Sequence, residues 1–169
     1  MSNTISLSPS TKNAIEQAKQ HTLACKGRFQ LTFSFVPDDK LDYSPSSTTR
    51  TPLRIATHVA MSNFTFAGII KMDPPKESDM EAIKAMMAEK EASITTREQA
   101  LAMLEESTDA VLAALDGCND DTIDAMIPTP VFTAPMTFWM NLPARHMDNH
   151  ASQIDYIQTV WGDMDWHMG

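Results

Sequence analysis

Apolar positions recur at helical spacing in four long stretches of this chain, and the segments between them lack that spacing. The first stretch runs from about Ser10 to Val36. Ala14, Ala18, Leu23, Cys25, Phe29, Phe33 and Val36 give it a broad apolar side, and Pro37 ends it. The second begins at Thr51-Pro52, a capping hydroxyl followed by a proline suited to the first helical turn. It continues through Leu53, Ile55, Val59, Phe64, Ile69 and Ile70 to about Lys71. The third opens at Thr96, which with Gln99 matches a capping box, and carries Leu101, Leu104, Thr108, Val111, Leu112 and Leu115 up to Gly117, expected just past its end. The fourth is expected from Asn141, as the cap, to Gly162.

The connectors differ in kind. DDKLDYSPSSTTR is a polar loop with Ser44-Pro45 as its turn signal. After Asp73-Pro74-Pro75 the chain reads as a short helix with Met80, Ile83, Met86 and Met87 on one side, expected to be its buried inner face. Residues 118–140 are punctuated by Pro128, Pro130 and Pro135 and read as partly extended. The whole chain, 1–169, is expected to form one all-α domain, a four-helix bundle. Antiparallel neighbours need only a few connecting residues, so the long link between the second and third helices predicts a crossover between two parallel ones, in an up-down-down-up order.

Composition narrows the function. Lys and Arg number 13 against 22 acidic residues, a formal net charge of −9, which disfavours a phosphate-binding surface for nucleic acid. No apolar run is long enough to span a bilayer. The opening residues lack the basic start and apolar core of a secretory signal, and Cys25 and Cys118 are too few for a disulfide scaffold. A cytoplasmic protein with two free thiols is expected.

The fourth stretch carries the chemistry. His146, His150, Ile154, Ile157 and Trp161 follow one another at steps of four or three, so a helix aligns two imidazoles with its core-facing stripe. Ring nitrogens there need hydrogen bonds or a metal ion. His58, on the second helix with Ile55 and Ser62 a turn away, is the candidate third ligand; His21 is a weaker fourth, and His167 is expected to be exposed in the tail. Three imidazoles with an open position suit Zn²⁺ or Ni²⁺. Met147 stands where a metalloprotease HExxH motif would place its glutamate, which argues against peptide hydrolysis by that route. From the residues alone, coordination and hydrogen-bonded structural histidines both remain open. Gln153 is placed to orient His150, or else faces solvent; Tyr156 is a proton donor or an edge tyrosine. Asp148 and Asn149 are expected to face solvent by helical phase. Met136, Met140 and Met147, with Phe138 and Trp139, are expected to fill and anchor the core rather than line a pocket.

Two segments carry a family resemblance: LDYSPSSTTRTPLRIATHVAMSN, a loop, a helix start and a histidine, and HMDNHASQIDYI, an H-x-x-x-H pair followed by glutamine and tyrosine at steps of three. With the long crossover between them, the chain resembles the DinB/YfiT-like superfamily of metal-dependent helical bundles from the first helix to Trp161. The resemblance implies that His58, His146 and His150 hold a divalent ion. It also implies a small-molecule substrate, and for some members transfer of a low-molecular-weight thiol such as bacillithiol or mycothiol. Other members have no established reaction, so the expected function is a metal-dependent enzyme that transfers a thiol or activates water. The alternative is a non-catalytic metal- or small-ligand-binding bundle. A homodimer is also expected from apolar surface on so small a bundle.

Overall fold

A computed structural model describes residues 7–167 of the chain and is mostly helical. Helix α1 spans Pro9–Ser34, α2 Pro52–Ile70, α3 Met80–Ser93, α4 Arg97–Asp116 and α5 Met136–Val160. An antiparallel hairpin, β1 Met126–Pro128 with β2 Thr133–Pro135, lies between α4 and α5 and pairs Ile127 with Ala134. It adds a small sheet to the expected all-α fold. Prolines at 128 and 135 occupy strand ends, where a missing N–H costs no ladder bond.

Helices α1, α2 and α4 start where a side chain satisfies one of the first free N–H groups. The Ser8 hydroxyl accepts from Thr11 N at 3.3 Å, and Ser8 also donates through its N–H and hydroxyl to the Asp120 carboxylate, at 2.9 and 2.7 Å. Thr51 caps α2 by accepting from Arg54 N. The expected capping box opens α4: Gln99 N donates to the Thr96 hydroxyl, and Thr96 N donates to Gln99 Oε1. At the other end of α1, the Arg97 guanidinium donates to the carbonyls of Phe33 and Val36 and to Asp38. Helix α2 ends with Met72 at φ 66°, a left-handed conformation that lets Asp73 N reach back to Gly68 O at 2.9 Å.

α2 packs most extensively against α4, α1 against α5, and α2 against α5, with a lighter contact between α1 and α4. One core cluster joins Phe29, Phe33, Leu53, Val59, Leu104, Met147 and Ile154; a second joins Ile15, Ile70, Leu115, Ile127, Met136, Trp139 and Met140. No helix among the described residues is long and apolar enough to cross a membrane.

Three expectations are corrected. Asn141 does not cap the last helix, which begins five residues earlier; its Nδ2 donates to Thr137 O inside α5. Pro143 lies inside α5, where burial of Met136, Trp139 and Met140 starts the helix well before it, and the Trp139 indole N–H is satisfied by Ala134 O at 3.2 Å. Gly117 sits at the cap of α4 in an ordinary right-handed conformation. The third correction is α3: it forms, but none of its residues is fully buried, and Met86 is 60% exposed. Ile83, Met86 and Met87 instead border a shallow apolar groove with Met61, Phe64 and Met103.

Candidate metal centre

His58 comes from the middle of α2, where Ile55, Val59 and Ser62 are buried around it. His146 and His150 come from consecutive turns of α5, and the packing of α2 on α5 brings the three together. One nitrogen from each ring lies within 4.8 Å of the others. Ring centroids are 5.1 Å apart for His58 and His146, 4.9 Å for His58 and His150, and 4.4 Å for His146 and His150. The Phe66 ring stands edge-on to His146 at 5.3 Å and closes one side.

Hydrogen bonding sets the tautomer of one ring. His150 Nδ1 lies 2.7 Å from Gln153 Oε1, an acceptor, so Nδ1 carries the proton and Nε2 keeps its lone pair. That Nε2 faces His146 Nε2 at 3.1 Å. Gln153 is thus the orienting partner of His150, the sharper of its two sequence readings, although the residue as a whole is exposed.

Electrostatics keep the cluster neutral. Burial pushes the His146 imidazole from its ordinary 6.5 down to about 3, helped by His150, His58 and Arg50. Burial, Arg50 and His150 push His58 down to about 4, and burial lowers His150 against the opposing pull of Gln153. At neutral pH all three rings therefore present lone pairs, the form in which imidazole binds a metal. In the unfolded chain they titrate near 6.5, so between pH 6.5 and about 4 the unfolded state holds more protons and acidification favours it. Metal-free protein is expected to lose about 2 kcal/mol between pH 7 and pH 5, allowing for screening of the partly exposed His58. The check is denaturant unfolding of chelator-treated protein beside a His146→Gln/His150→Gln variant. Parallel pH profiles for the two would show that the imidazoles titrate as they do in free peptide.

The donor set fits a divalent ion. Two nitrogens on one zinc at about 2.0–2.1 Å stand roughly 2.9–3.4 Å apart for right-angled to tetrahedral bonds, and the Nε2 pair is at 3.1 Å. Hydrogen bonds alone leave the group poorly served: buried His146 Nδ1 has no partner, and the His58 ring makes no hydrogen bond among the described residues.

The other expected site residues fall elsewhere. His21 is exposed on α1 and outside the cluster. Tyr156 is 72% exposed. His167 is not exposed as expected: its side chain is 12% exposed, lies 3.0 Å from Asp163 Oδ2 and stacks on Phe35 at 4.1 Å. Asn149 faces solvent, while Asp148 is half-buried and pairs with Arg28 of α1. Met136, Met140 and Met147 fill the core, and Phe138 and Trp139 pack against Phe132 of the hairpin. Sequence reasoning missed Phe66, two helical turns beyond His58 and so on its face, and Arg50, immediately before the cap of α2.

Comparison with known proteins gives a family and a fold. No curated protein sequence matches the chain. Among solved structures, the DinB-like protein YjoA of Bacillus subtilis shares the fold, with a TM-score of 0.64 at 16% identity over 88% of this chain and 94% of YjoA. The sequence model of the DinB superfamily matches residues 21–154, which include all three clustered histidines. The chain belongs to the DinB superfamily.

Proposed function

We propose that this chain is a divalent-metal-dependent protein in which His58, His146 and His150 hold one zinc or nickel ion. We read α1, α2, α4 and α5 as a four-helix bundle of up-down-down-up order, with α3 in the crossover. The observation that carries the metal reading is the convergence of three imidazole nitrogens, all in their neutral form, from two helices. When bound, a divalent ion supplies Lewis acidity that favours the deprotonated form of a water or a low-molecular-weight thiol. The chain's own contribution is positional: Gln153 fixes the His150 tautomer and Phe66 shields His146.

One observation favours the non-catalytic alternative. Gln153 is the one non-histidine side chain hydrogen-bonded to the cluster among the described residues, and an amide neither takes nor gives a proton at neutral pH. The deciding experiment is elemental analysis of untagged protein beside a His146→Ala/His150→Ala variant. About one ion per chain in the parent, none in the variant, and a metal-dependent rise in melting temperature are expected. A parent that takes up neither zinc nor nickel overturns the metal reading. Loaded protein that then conjugates no thiol across a broad panel of electrophiles would favour the binding-module alternative.

A further inference from the structure

A groove of about 440 Å³ runs beside the histidine cluster. The loop before α2 contributes Thr48, Thr49 and Arg50, and α5 contributes Ser152, Gln153 and Tyr156. Gln153 links the two places, because the side chain that lines the groove also binds His150. The volume is in the range of small-molecule sites.

The charge of the groove runs against that of the protein. The chain carries a net −9, yet among the described residues no carboxylate lines this groove and one guanidinium does. Every other arginine is engaged: Arg28 with Asp148 and Asp155, Arg54 with Glu91 O, Arg97 with Asp38 and the end of α1, and Arg145 over the Phe138 ring. Arg50 has no such partner among the described residues. Its backbone is well placed all the same. The Ser44 hydroxyl donates to the carbonyls of Ser46 and Thr49, the Ser46 and Thr49 hydroxyls meet at 2.7 Å, and Thr51 then caps α2. The Arg50 charge is felt at all three imidazoles, so the guanidinium lies within electrostatic reach of the cluster.

We propose that this groove binds a small organic anion whose carboxylate pairs with the Arg50 guanidinium, beside the hydroxyls of Thr48, Thr49 and Ser152, and whose other end reaches the histidine cluster. A planar guanidinium accepts a carboxylate through two parallel N–H···O bonds, a geometry an ammonium cannot reproduce. The position of the anion's far end rests on the metal reading above; the Arg50 subsite does not. As the substrate class of that site, carboxylate-bearing molecules are selected over neutral ones of equal size.

The test is calorimetric titration of the full chain, zinc-loaded and zinc-free, with succinate and benzoate against succinamide and benzamide. The parent is expected to bind the acids, with the amides at least about tenfold weaker. Arg50→Ala should weaken the acids at least about tenfold and Arg50→Lys should restore part of the loss. Zinc uptake and melting temperature should be unchanged in both variants, which separates loss of the subsite from loss of the fold. Equal acid binding by parent and Arg50→Ala, or no acid binding by the parent, overturns the proposal while one zinc per chain leaves the metal reading standing. Arg50-dependent acid binding by a parent that takes up no zinc would remove the metal reading and keep the anion subsite.

Discussion

Replacing His58 with alanine is expected to abolish stoichiometric metal binding and leave the fold intact. Two ligands from one helix remain in that variant, and the third helix position, on α2, contributes nothing in their place. Loss of an orienting partner alone typically costs 10- to 100-fold in affinity, so loss of a ligand should cost at least about a thousandfold, roughly 4 kcal/mol. Competition against a chromophoric chelator measures this directly. The melting temperature of the metal-free protein should hardly move, because the ring removed is a partly exposed imidazole without a hydrogen bond to lose. Tight binding retained by His58→Ala would take α2 out of the centre and leave the His146 and His150 pair on α5 to hold the ion. A metal-free variant that fails to fold would instead assign His58 a packing role.

The second large effect belongs to the core. Phe29 is fully buried, lies 6.2 Å from the ring of Phe33, and sits in the cluster that joins α1 to α2, α4 and α5. Truncation to alanine removes its apolar burial and leaves a cavity that rigid neighbouring helices fill only in part, costing about 3–5 kcal/mol. For a chain of this size that corresponds to a drop on the order of 10 °C in melting temperature. Leu23 is the internal control. It lies on the same helix and on the same broad apolar side of the sequence, but is 45% exposed, and Leu23→Ala should cost less than about 1 kcal/mol. Thermal melts of the two variants, with metal removed, would check the difference; equal losses would mean that α1 packs by a face other than the one described.

That contrast marks how far the pattern of residues could be read. Leu23 and Phe29 look alike as letters in an apolar stripe, and only the partner helices decide which one is enclosed. The capping box at Thr96 and Gln99, the Thr51-Pro52 start of α2 and the stripe His150, Ile154, Ile157 were legible because each depends on neighbours within a turn or two. The start of α5 was not. Local preference puts Pro143 in a first turn, whereas the burial of Trp139 and Met140 against distant residues of α1, α2 and α4 outweighs that preference. The exposed face of α3 escaped for the same reason: its methionine spacing signals an apolar side, but not whether another element covers it.

The candidate centre divides along the same line. The sequence by itself determined that His146 and His150 share a helix face, because a spacing of four is a local property of the backbone. His58 was a candidate from its small and apolar neighbours on the second helix, the family pattern joined it to the pair, and membership of the DinB superfamily now stands on most of the chain. Only the tertiary structure decided that His58 lies at the height of the pair, since that depends on how far α2 slides along α5 when their side chains interlock. It also decided that Gln153 turns toward His150, that Arg50 lines the groove with no carboxylate partner among the described residues, and that His167 is held by Asp163 rather than left in solvent. Periodicity orders residues around one helix. Height, enclosure and charge pairing arise between helices, where residues far apart in sequence first meet.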